Sequence, residues 1–166
     1  MTTLILNKKR GSVLSLLLYV LGTAVGVAYN YYFVYFNGFS VDALVITAFL
    51  GIFVVHESTH YISYRLIGRG ERVVFSKDKK WDIPYFKSED FIDKKKLIIS
   101  LVLPFFTTSM MVMSVNSVTG NFTYSFLLGI SFAMSGADIV MASQLAKETK
   151  REWKALDREF GFVGID

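Results

Sequence analysis

The stretch VDALVITAFLGIFVVHESTHYISYRLIG, residues 41–68, decides the fold. It is long and apolar enough to cross about 30 Å of hydrocarbon as a helix rising about 1.5 Å per residue. Its second half nevertheless carries His56, Glu57 and His60. Ionisable groups inside such a run are costly and usually serve a function. His56-Glu57-Ser58-Thr59-His60 also matches the pattern H-E-x-x-H. Residues four apart share a helix face, so both imidazoles can reach one metal ion. Glu57 sits beside that face, where it can take a proton from a water that the metal polarises. Zinc brings the pKa of such a water towards about 7, within reach of a glutamate acting as general base. The competing reading is a polar trio that only packs helices together. Against it, the chain has just 2 histidines, and both are in the motif.

Three further apolar blocks flank this one, at 13–36, 97–115 and 122–146. With a mean hydropathy of +0.42, the 166 residues read as an all-α integral membrane protein of four transmembrane helices. No linker, internal repeat or low-complexity tract divides it, so we expect a single membrane domain over 1–166. The first block follows a basic start, as in a signal peptide. It is too long for one, and the next block begins almost at once, so we expect it to be retained. The chain contains no cysteine, which excludes disulfides, a thiol nucleophile and thiolate metal ligands.

A net charge of +4 could suggest nucleic acid, but the basic residues sit beside the apolar blocks. Lys8, Lys9 and Arg10 precede the first. Arg69, Arg72, Lys77, Lys79, Lys80, Lys87, Lys94, Lys95 and Lys96 follow the second. Lys147, Lys150, Arg151, Lys154 and Arg158 follow the fourth, and the segments 37–40 and 116–121 carry neither Lys nor Arg. The positive-inside rule then puts both termini and the loop 69–93 in the cytoplasm. The bilayer is the expected partner, with no nucleic acid, and the expected location is the plasma membrane of a prokaryote. Aromatic residues across 29–35 read as an interfacial belt at the opposite face.

Within the loop, Val73, Val74 and Phe75 precede a polar turn at 77–80, and Trp81, Ile83 and Tyr85 then alternate. That pattern predicts a short β-hairpin, with Pro84 tolerable on an edge. The tail 147–160 reads as a charged helix with Trp153, Leu156 and Phe160 on one face, lying against headgroups.

A catalytic zinc site needs a third protein ligand. With no cysteine and no other histidine, a carboxylate must supply it. Asp138 is the acidic residue well inside another span. His56 and Asp138 lie about 15 and 16 residues into the second and fourth spans, which run in the same direction. Both side chains therefore fall roughly 22–24 Å in, at one level. Gly136 and Ala137 would let those two helices approach. A helix-packing role for Asp138 stays open, as do Asp78, Asp82, Glu89 and Asp90 if the loop folds back over the site. Arg65 reads as a snorkelling residue, or less simply as an oxyanion partner. Pro104 reads as a structural kink in the third span, although kinked backbone beside a site can expose carbonyls for substrate. Asn121 opens a glycosylation sequon, meaningful in a eukaryotic host only.

The motif on one span and an aspartate two spans later resemble the site-2 class of intramembrane zinc proteases. In size and layout the chain is more similar to a family of small membrane zincin peptidases. The four spans, the loop after the motif, Ser135-Gly136-Ala137-Asp138, and a tail with Asp157 and Gly161-Phe162 carry that likeness. Ile139 follows Asp138 where site-2 proteases usually have glycine, which favours the smaller family. The resemblance implies an endopeptidase with one zinc per chain on His56, His60 and Asp138. Glu57 would be the catalytic base, and the substrate a membrane protein or peptide cut near the cytoplasmic face. The alternatives are a non-catalytic regulatory or immunity protein with a structural metal, and a zinc or proton carrier. A carrier would want more intramembrane carboxylates.

Overall fold

A computed structural model of the chain describes residues 2–34, 38, 43–68, 72–77, 84–156 and 161–165. Helices dominate. α1 (Lys8–Phe33), α2 (Ala43–Leu66) and α3 (Lys94–Thr119) run 26, 24 and 26 residues. With the segment Thr123–Lys147 they make four helices long and apolar enough to cross a membrane.

The helix ends follow local chemistry. α3 starts before the apolar run because Asp93 caps it, its Oδ1 accepting the N–H groups of Lys95 at 3.0 Å and Lys96 at 3.3 Å. It stops where Gly120 adopts φ +63°, the left-handed conformation that commonly terminates helices. The first helix ends at Phe33 rather than 36, and residues 35–37 lie outside the described ones. The fourth span, expected to be unbroken over 122–146, is two helices: α4 (Thr123–Met134) and α5 (Gly136–Lys147). At the break, Ser135 Oγ bonds back to the Ser131 carbonyl at 3.4 Å. Such back-bonding bends helices, and a glycine follows.

Two compact units make up the chain. The first, Lys9–His56 with Phe105–Ala137, is helical. Its core holds Val45, Ile52, Val112, Tyr124 and Leu128. α1 and α4 touch backbone to backbone, since a Cβ on Gly26 would lie 2.6 Å from Ser125 Cα. Beside that contact, Asn30 Nδ2 donates to Ser125 Oγ at 2.8 Å, a polar cross-link of the kind membrane helices use. Gly136, expected to bring the second and fourth spans together, instead makes room for Ser15 of α1. Leu16, Leu17, Val20 and Leu21 of α1 and Ile46, Leu50 and Val54 of α2 are all more than half exposed. Hydrocarbon solvates such a surface, whereas water would favour its aggregation.

The second unit, Met1–Lys8, Glu57–Pro104 and Asp138–Asp166, contains two small sheets. One is four-stranded and antiparallel, in the order β1 (Thr2–Ile5), β6 (Gly161–Ile165), β5 (Glu152–Ala155), β4 (Ile92–Asp93). The other pairs β2 (Val73–Lys77) with β3 (Pro84–Ser88), Phe75 opposite Phe86. The expected turn residues 78–80, with Trp81 and Ile83, lie outside the described residues.

The all-α expectation is therefore corrected: the chain is mostly helical, with strands at both ends and after α2. The expected tail helix is corrected too. α5 stops at Lys147, and the tail returns as β5 and β6. Trp153 and Leu156 are three residues apart, which suits a helix face. What decides instead is Trp153, fully buried among Ile92, Leu97, Leu101, Met141, Leu145 and Phe162. Its ring lies over Gly164, where a Cβ would come within 2.9 Å. Tertiary burial of one large ring outweighs a local helical preference of a few tenths of a kcal/mol per residue, roughly.

Candidate metal centre

α2 places His56 and His60 one turn apart on one face, both buried. Asp138, also buried, lies in the first turn of α5. The break at Ser135 puts the carboxylate at a helix N-terminus, where the helix dipole favours negative charge. One ligand atom from each of His56, His60 and Asp138 lies within 4.8 Å of the others. Among the described residues this is the group that could hold a metal. The loop carboxylates are placed otherwise. Asp90 accepts the Arg72 N–H at 2.8 Å, Glu89 is not in the group, and Asp78 and Asp82 lie outside the described residues. Arg65 occupies the last turn of α2.

The orientation of His60 is set by a carbonyl. His60 Nδ1 lies 3.1 Å from the Ser100 oxygen. A carbonyl can only accept, so Nδ1 carries the proton and Nε2 presents its lone pair. Ser100 lies four residues before Pro104 in α3. Proline has no N–H, so the intrahelical partner of the Ser100 carbonyl is missing and its oxygen is released to the histidine. The role expected of Pro104 is a kink, with carbonyls exposed for substrate, and not an acceptor for His60. Counting four residues back from the proline locates it. Tyr64 stacks against a face of the His60 ring, centroids 5.8 Å apart and planes 16° apart.

This arrangement tests whether a cation fits. His60 Nε2 faces Asp138 Oδ2 at 3.4 Å. With Nδ1 as donor, two lone pairs would confront each other in a buried space, which is unfavourable unless positive charge stands between them. A proton on Nε2 or a metal ion satisfies the pair, and a metal also engages the neighbouring His56. Two imidazoles and one carboxylate, with a backbone carbonyl behind one imidazole, are the donor set of a catalytic zinc site. The residues fit the group.

Glu57 is half-buried beside this face, and its Oε2 accepts the backbone N–H of Phe86 on β3 at 3.1 Å. The sequence contains no signal for this donor, because any residue at position 86 except proline would offer it.

No curated protein and no solved structure matches the chain. A family model does, over residues 49–153. That span includes the whole motif, the β2–β3 pair, Ser100, Pro104 and Asp138. The family is described as "putative zincin peptidase", and the chain belongs to it.

Proposed function

We propose that this chain is a membrane-embedded zinc endopeptidase that cleaves a membrane protein or peptide near the cytoplasmic face. The observation that carries the reading is the buried His60–Asp138 pair, with His56 one turn away and the tautomer of His60 fixed by Ser100. His56, His60 and Asp138 would hold one zinc. When bound there, zinc supplies Lewis acidity, polarising the scissile carbonyl and making water nucleophilic at neutral pH.

The remaining roles belong to the chain's own residues. Glu57 takes a proton from the attacking water and delivers it to the leaving amine nitrogen. Water adds its oxygen to the acyl carbon, the C–N bond breaks, and acid and amine products carry all the atoms. A substrate helix has its carbonyls engaged internally, so the segment to be cut must first be extended. The β2–β3 pair also has an edge strand to which an extended segment can add.

The test compares purified wild type with His56→Ala, Asp138→Ala and Glu57→Gln. We expect about one zinc per chain in the wild type and in Glu57→Gln, and loss of zinc in the other two. Peptide hydrolysis should fall by about 10²–10⁴-fold in Glu57→Gln. No zinc in the wild type after reconstitution with the metal would sink the proposal. Zinc bound with no hydrolysis, and no phenotype for Glu57→Gln, would point to a structural metal site.

A further inference from the structure

The register of the β2–β3 pair shows which way the Phe86 N–H points. The Glu89 N–H donates to the Arg72 carbonyl at 2.9 Å, so Arg72 and Glu89 form a hydrogen-bonded pair. In an antiparallel ladder such pairs alternate with non-bonded ones. Val74 with Lys87 and Ser76 with Tyr85 are then bonded, while Phe75 opposite Phe86 is not. The Phe86 N–H therefore faces away from β2, and there it meets the Glu57 carboxylate.

A second contact fixes the same two elements. Tyr61 lies four residues after Glu57, on the same face of α2. Its ring packs on the Phe86 ring with centroids 5.3 Å apart, and the Phe75 ring also contacts Phe86, at 5.2 Å. One helix face thus meets Phe86 twice, through a carboxylate on its N–H and an aromatic ring on its side chain. A glutamate has three side-chain torsions, and a general base must be held within hydrogen-bond reach of the proton it takes. The helix alone brings Glu57 beside the metal-binding face. The strand supplies the anchor that selects among its rotamers and solvates its charge.

We propose that the backbone N–H of Phe86 positions Glu57, making β3 a working part of the catalytic apparatus. This rests on Glu57 being the base of the peptidase reading. The N–H can be removed with little cost to the strand pair. Proline at position 86 deletes a donor that the ladder does not use, on an outward edge where proline is tolerated.

Two measurements test the proposal. The first is amide hydrogen exchange at Phe86 in the metal-free protein. Protection should persist in Glu57→Gln, which keeps an acceptor oxygen, and exchange should speed up at least about tenfold in Glu57→Ala. Equal exchange in wild type, Glu57→Gln and Glu57→Ala would overturn the proposal whether or not the chain is a peptidase. The second compares Phe86→Pro with Phe86→Leu, which lose the same ring and differ in the N–H. With zinc content equal, kcat for a quenched-fluorescent peptide cleaved by the wild type should be about 10–100-fold lower in the proline variant, with KM within about threefold. Equal kcat in the two variants would overturn it. A wild type that cleaves nothing refutes the peptidase reading, and with it a catalytic role for Phe86. The exchange measurement still decides whether the strand anchors Glu57.

Discussion

Replacing Pro104 with alanine should move stability and zinc affinity in opposite directions. The new N–H at position 104 lies in a continuous helix and points at the Ser100 carbonyl, the acceptor that His60 now uses at 3.1 Å. Proline in a helix interior costs about 3 kcal/mol relative to alanine. Part of that is already offset here, because the released carbonyl has found a donor. The metal-free variant should therefore be more stable by about 1–2 kcal/mol. Zinc binding should suffer, since the partner that fixes a ligand histidine typically contributes 10–100-fold in affinity. The carbonyl has two lone pairs and can be shared, so we expect the lower end, about tenfold or 1.4 kcal/mol. Thermal unfolding of the metal-free protein in detergent reads the first effect, and competition against a zinc-sensitive chelator dye reads the second. Zinc affinity unchanged within about twofold would refute the assignment of Pro104 as the source of the His60 acceptor.

Two further substitutions test the frame around the site. Trp153→Ala should destabilise the unit containing the sheets by about 3–5 kcal/mol, because the ring is fully buried between the sheet and the helices. Limited proteolysis should then cut within the tail, and a tail as resistant as in the wild type would contradict its docking through Trp153. Gly26→Ala should lower thermal stability by about 1–3 kcal/mol, since the added methyl meets the Ser125 backbone rather than a movable side chain. An unchanged melting temperature would mean that α1 and α4 do not pack as closely as described.

The four helices are legible in the sequence because hydrocarbon imposes a length and a composition that few other structures share. Asp138 is legible for a related reason: a carboxylate deep in an apolar run is costly enough to stand out. The strands are less so. Thr2–Ile5, Ile92–Asp93, Glu152–Ala155 and Gly161–Ile165 are two to five residues long, and each is held by partners distant in sequence. Glu152-Trp153-Lys154-Ala155 suits a helix about as well as a strand until Ile92 and Gly164 are brought to either side of it. Short-range pattern cannot choose between them, because the deciding term is the burial of Trp153 among residues of other elements, Ile92, Leu97, Leu101, Met141, Leu145 and Phe162.

The parts of the site that escaped the sequence are main-chain groups. His60 is held by the Ser100 carbonyl and Glu57 by the Phe86 N–H, and every residue except proline carries both kinds of group. What makes either one special is that it is not spent on secondary structure. Two physical situations leave a backbone group unspent. One is a helical carbonyl four residues before a proline, and the other is the outward side of an edge strand. The first is written in the sequence as Pro104, and the second can be read from the register of Phe75 opposite Phe86. A buried backbone group left unpaired is costly, so each gains by finding a protein partner. Here the partners are His60 and Glu57. The same burial that penalises an unpaired backbone group also strengthens each of these two hydrogen bonds.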